Sequence, residues 1–224
     1  VVTRSTQVSL ESSGADGFVS YAAPTLDGAA PLSGAGFADA ATAGNQVITI
    51  NGTNFGPAGH SDVQVVYGPP SNRNLYTTDP CTVKAPSGGA VFQEIECRTV
   101  AGVGNDLKWK VTVGGQSTGL STTVSAYLGP VLDSTTPLSG DGFLDAATEG
   151  NQVITITGSN FGPASHTDIN VVYGPSTNPA LYTAELCTVE SQDKIECRTV
   201  AGVGNDLKWK VTVGGQASLP SSTT

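Results

Sequence analysis

Apolar and polar residues alternate in short runs along this chain, and clusters of Gly, Pro, Asn and Ser punctuate them. In Leu107-Lys108-Trp109-Lys110-Val111-Thr112-Val113 every second residue is apolar, and Gly114-Gly115 turns the chain afterwards. Val63, Val65 and Tyr67 alternate in the same way before Gly68-Pro69-Pro70. Val47 to Ile50 predicts a strand ended by Gly52, with Phe55-Gly56-Pro57 folding back behind it. A period of two predicts half-buried strands, and no stretch has the period of an amphipathic helix. Roughly six or seven such strands per hundred residues, separated by turns, predict an antiparallel β-sandwich.

The pattern occurs twice. Ile95 to Gln116 recurs unchanged as Ile195 to Gln216, and Leu26 to His60 lies over Leu132 to His166. Repetition at roughly a hundred residues means a tandem array of one domain type. The expected organisation is an N-terminal extension at 1–23, a first domain at 24–129 and a second at 130–224. The segment before the first repeat, Gly17 to Asp27, aligns with Thr123 to Asp133, which leads into the second. In the first unit, Thr123 to Leu128 predicts a last strand. The second unit ends in ASLPSSTT, where Pro220 cannot donate to a ladder. The expectation is that unit two lacks its final strand and that the chain carries an equivalent strand at its head.

Composition narrows the partners. The 10 Lys and Arg stand against 19 Asp and Glu, a net charge of −9, which opposes binding to nucleic acid. No apolar run approaches the ~18 residues of a membrane span. The absence of Met and of a basic-then-apolar leader reads as a processed chain or an excised fragment. The four cysteines fall two per repeat, and four cysteines allow three pairings. Equivalence of the repeats favours Cys81–Cys97 and Cys187–Cys197; reduced core thiols are the alternative, and the spacing disfavours zinc. Paired cysteines in small domains point to an oxidising, extracellular compartment.

NQVITINGTNFG, then VQVVYG, then a Cys…IEC pair, then WKVTVGGQ, resembles the IPT/TIG family. Its Ile-Thr-Ile-x-Gly-x-x-Phe-Gly run stands at Ile48 to Gly56 and again at Ile154 to Gly162. The resemblance covers about residues 24 to 219 and implies an immunoglobulin-like sandwich. Its members include receptors, transcription factors and parts of carbohydrate enzymes, so function does not follow from fold.

Candidate chemistry is sparse. His60 and His166 each lie near an acid, Asp62 and Asp168, but no nucleophile motif accompanies them, and they read as surface histidines. Ser139 to Asp145 lacks the ligand spacing of a calcium loop. Trp109 and Trp209 alternate in register with Leu107, Val111, Leu207 and Val211, which favours core positions over sugar-stacking platforms. No cofactor is implied, and no catalytic or metal site. Asn51 begins the N-x-[ST] sequon Asn51-Gly52-Thr53, and strand parity predicts that it faces solvent and carries a glycan. Ser134 to Pro137 could take O-linked sugar.

The sequence thus reads as a non-enzymatic extracellular structural protein, a fibre subunit that polymerises head to tail with identical subunits. Phe18, Val19, Ser20, Tyr21, Ala22 and Ala23 are the expected donor strand. The expected acceptor lies beside Leu207, Trp209, Val211 and Val213. A sandwich short of a strand exposes unpaired backbone and a strip of core, which an incoming strand restores. The rival readings are a binding module from a receptor or adhesin ectodomain, and an accessory region of a polysaccharide-active enzyme.

Overall fold

The computed structural model describes residues 20–78, 80–85 and 93–222. Within them the chain forms two repeats of one β-sandwich, without helix. Unit one comprises β1 (Thr25–Leu26), β2 (Leu32–Ser33), β3 (Val47–Thr53), β4 (Val63–Gly68), β5 (Tyr76–Thr78), β6 (Thr82–Val83), β7 (Gln93–Arg98), β8 (Lys108–Val113) and β9 (Gln116–Ser117). Unit two repeats them as β10 (Val131–Leu132), β11 (Leu138–Ser139), β12 (Val153–Ser159), β13 (Ile169–Gly174), β14 (Tyr182–Thr183), β15 (Glu185–Ser191), β16 (Lys194–Arg198), β17 (Lys208–Val213) and β18 (Gln216–Ala217). In each unit one sheet has five strands, in unit one β1-β3-β7-β6 with β2 also on β3. The other has four, in the order β5-β4-β8-β9. Every strand pair within the sheets is antiparallel.

The alternation in sequence becomes alternation in burial. β8 and β17 bury Trp109, Val111 and Val113, and Trp209, Val211 and Val213, between the sheets. Tyr67 stacks on Trp109 at 4.0 Å, and Tyr173 on Trp209 at 4.1 Å, so both tryptophans are core residues. The opposite sheet supplies Ile48, Ile50 and Ile95, with Ile154, Ile156 and Ile195 in unit two.

Disulfides Cys81–Cys97 and Cys187–Cys197 tie β7 and β16 to the segments beside them. One expected boundary moves. Gly52 does not end its strand, because β3 runs on to Thr53. A Cβ at Gly52 would lie 2.0 Å from the Thr25 carbonyl oxygen and 2.4 Å from the Phe55 ring. The glycine is therefore a packing site for β1 and Phe55 rather than a stop.

Candidate functional site

The two units differ at one end, around the stacked tyrosine and tryptophan. In unit one that end is filled by the segment leading into unit two. Ser125 pairs with Leu107, and Tyr127 makes a parallel bridge to Ala40. The expected strand Thr123 to Leu128 thus forms isolated bridges rather than a regular ladder, yet its backbone is well held. Ser125 and Leu107 exchange both N–H···O bonds, Tyr127 N donates to Gly104 O, and Leu128 N donates to Ala40 O.

The inward side chains of this segment are Ser125 and Tyr127, while Val124 is exposed. Trp109 Nε1 donates to Ser125 Oγ at 2.8 Å. The Tyr127 hydroxyl bonds to the Tyr67 hydroxyl and donates to Val100 O at 2.6 Å. Burial pushes the Tyr67 phenol up to about 12 and raises Tyr127 further, with the neighbouring Tyr67 adding to the effect. Both tyrosines are locked neutral inside a dry aromatic cluster.

In unit two the same place is an open groove of about 490 Å³, lined by Ala146, Tyr173, Tyr182, Gly204, Leu207 and Trp209. These correspond to Ala40, Tyr67, Tyr76, Gly104, Leu107 and Trp109, the surroundings of Ser125 and Tyr127. The groove narrows the expected acceptor. Leu207 and Trp209 line it, but Val211 and Val213 do not. Their edge is closed by β18 and the residues after it, through Ser218 N to Val211 O and Ser221 N to Trp209 O.

The head of the chain supplies the counterpart. Phe18 and Val19 lie outside the described residues, whereas Ser20, Tyr21, Ala22 and Ala23 are exposed. Tyr21, which aligns with Tyr127, is 90% exposed where Tyr127 is 1% exposed. The backbone that carries Tyr21 is nonetheless placed as that of Tyr127 is. Gln116 Nε2 donates to Tyr21 O at 3.2 Å, as Gln216 Nε2 donates to Tyr127 O at 3.0 Å. Asn54 Nδ2 donates to Ala23 O, as Asn160 Nδ2 donates to Gly129 O.

A second feature joins the units. Val103 is 4% exposed and packs into the core cluster of unit two, not that of unit one. A Cβ on Gly162 would lie 2.4 Å from Val103 Cγ1, and one on Gly214 would lie 2.6 Å from Gly104 N. Only glycine admits so close an approach at these two points. Thr42 Oγ1 donates to Gln192 Oε1 across the same junction.

His166 is half-buried beside this contact, so it is not the free surface histidine that its sequence implies. Its Nε2 is enclosed without a hydrogen-bond partner. Burial lowers its pKa below the ordinary histidine value, with Asp168 opposing. Sequence reasoning missed this junction, because Val103 and Val203 lie in identical stretches.

Asn51 is half-buried rather than open, and its Nδ2 donates to Ala30 O at 3.0 Å. Among the described residues no three or more His, Cys, Asp or Glu side chains converge as metal ligands, and no helix is long and apolar enough to cross a membrane.

The model of the IPT/TIG domain matches residues 38–127 and 130–224. No curated protein sequence matches the chain significantly. Among solved structures, SGBP-B from a complex xyloglucan utilization locus in Bacteroides uniformis aligns at 15% identity with a TM-score of 0.31, over 89% of this chain and 49% of that one. The BSP domain of a biofilm associated protein aligns at 11% identity and a TM-score of 0.25, over 86% and 29%. The D0-D1 domain of intimin aligns at 11% identity and a TM-score of 0.23, over 88% and 95%. The chain thus spans 49% of the first of these structures and 29% of the second.

Proposed function

The chain belongs to the IPT/TIG family, and from that premise we propose that it is a non-enzymatic structural protein of the extracellular surface, joined head to tail to identical subunits by β-strand donation. The observation that carries the reading is the mismatch between the two ends. Unit two holds an open groove with the lining that encloses Ser125 and Tyr127 in unit one, while Tyr21 stands exposed in the register of Tyr127. Residues 18–23 of one copy would seat in the Tyr173, Tyr182 and Trp209 groove of the next. The incoming chain would pair with Leu207, Gly204 and Ala146, and Tyr21 would bury its ring, a gain of about 1.5–3 kcal/mol for one large side chain. Donor and acceptor lie on different units, so the contact is heterologous and extends into a fibre unless its rotation closes a ring. The disulfides support an oxidising compartment.

Deleting residues 1–23 tests the reading. The truncated chain should remain folded and lose self-association in sedimentation velocity. A peptide spanning Val1 to Pro24 should bind it, raise its melting temperature and shift Trp209 emission to the blue as the groove dries. Undiminished polymerisation of the truncated chain sinks strand donation. A monodisperse intact protein that ignores the peptide would instead favour the receptor or adhesin reading.

A further inference from the structure

The loop after β16 is a copy of the loop that makes the junction between the units, and it stands exposed among the described residues. Val203 is 72% exposed, although its equivalent Val103 is packed into the neighbouring unit. The loop is already in its docked shape. The Tyr182 hydroxyl donates to Val203 O at 2.8 Å and accepts from Val203 N at 3.0 Å. Tyr76 holds Val103 by the same two bonds, at 2.8 and 3.0 Å. Gly204, like Gly104, has a positive φ. A preformed apolar knob held by two hydrogen bonds loses little entropy on docking.

The glycines of the matching socket are present on unit one. Gly162 and Gly214 receive Val103 and Gly104; their equivalents are Gly56 and Gly114. A Cβ on Gly114 would meet nothing within 4 Å, whereas one on Gly56 would meet the His60 ring at 3.3 Å; on Gly162, where Val103 seats, the His166 ring stands back at 4.0 Å, so His60 has to turn aside to admit Val203. The socket loop Asn54-Phe55-Gly56-Pro57-Ala58-Gly59-His60 differs from Asn160 to His166 only at Gly59, where unit two has Ser165. At Val203, Gly204, Gly56 and Gly114 the two ends of the chain therefore carry the residues that fit each other at the internal junction, although Phe92 stands in sequence where Gln192 meets Thr42.

The geometry points to a second contact between copies: Val203 and Gly204 of one copy dock on Gly56 and Gly114 of the next, as Val103 and Gly104 dock on Gly162 and Gly214 inside each chain. This inference rests on the head-to-tail reading and deepens it by naming the other half of the interface. Its consequence is a fibre whose structural repeat is one sandwich rather than the two-unit subunit. Seating Tyr21 in the groove and seating Val203 on Gly56 are compatible, because Tyr127 and Val103 are both engaged at the internal junction.

Two variants of the full chain test it by sedimentation velocity over a concentration series. Val203→Glu places a charge on the knob, and Gly114→Asn keeps a residue that tolerates positive φ while filling the socket. Each should weaken self-association by about tenfold or more, as expected when a charge or a bulky group replaces a fitted apolar contact. Melting of the dilute chain should stay unchanged, since both positions are open there. Val103→Glu is the contrast, because it should lower the melting temperature of the isolated chain. If deletion of residues 1–23 abolishes assembly while Val203→Glu and Gly114→Asn assemble normally, the knob contact is wrong and strand donation stands. If the intact chain stays monomeric throughout the series, both proposals fall.

Discussion

At the scale of single residues, the contrast between Ser125 and Val19 sets how well the groove can be filled. Ser125 gives the buried indole N–H of Trp109 its acceptor. In the proposed donor the same register position is Val19, which offers none. Seating the donor would therefore enclose Trp209 Nε1 unpaired, a cost of about 1–3 kcal/mol for a buried donor. The valine's apolar burial offsets part of that cost. Val19→Ser should restore the bond and tighten binding of the Val1 to Pro24 peptide to the truncated chain by roughly two- to tenfold, the range of one net hydrogen bond. A fluorescence titration on Trp209 reads the change. Equal or weaker binding by the serine peptide would show that Val19 does not face the indole.

Among the elements, β15 and β16 depend on a cross-link that closes a short loop. Cys187 and Cys197 are separated by 10 residues in sequence, and Cys81 and Cys97 by 16. In the chain-entropy model loops of this size stabilise by about 2–3 kcal/mol each. Replacing Cys187 and Cys197 together by serine should lower unit two's stability by about that amount and leave unit one's transition in place, as calorimetry with separated transitions would reveal. Strands such as β4, β8, β13 and β17 were legible because alternation alone specifies their buried face. Gly52 was misread because its role is set by the Phe55 ring and the Thr25 carbonyl, which approach from elsewhere in the chain. The opposite fates of Val103 and Val203 were illegible for a stronger reason. Their sequences are identical over the whole stretch, so only the neighbour that one has and the other lacks can distinguish them. The groove was legible in outline from the alignment of Gly17 to Asp27 with Thr123 to Asp133. Its limits were not, since the closure of Val211 and Val213 by the residues after β18 depends on how the tail folds back.

On the scale of the whole molecule, the junction between the units carries a titratable group where an apolar contact is made. His166 lies next to the seat of Val103, with Nε2 enclosed and unpartnered. Burial disfavours the imidazolium, and Asp168 only partly compensates, so the folded pKa is below the ordinary value of 6.5. In the unfolded chain the ring binds its proton more tightly. The stabilising contribution is therefore complete above about pH 6.5 and declines as pH falls from there toward the lowered folded pKa. The ring is half exposed and solvent screens it, so the loss should be no more than about 1 kcal/mol. Thermal melting at pH 7.5 and 5.5 should show unit two and its junction weakening on acidification. His166→Gln, which cannot take up a charge, should flatten that dependence while leaving the carboxylate contribution common to both proteins. Hydrogen exchange at the amides of Val103 and Gly104 gives the local reading, with protection factors, taken relative to the intrinsic exchange rate at each pH, falling at the lower pH in the parent chain only. The same slope in both proteins would mean that the acid response arises outside the junction, and that Val103 is held there by packing alone.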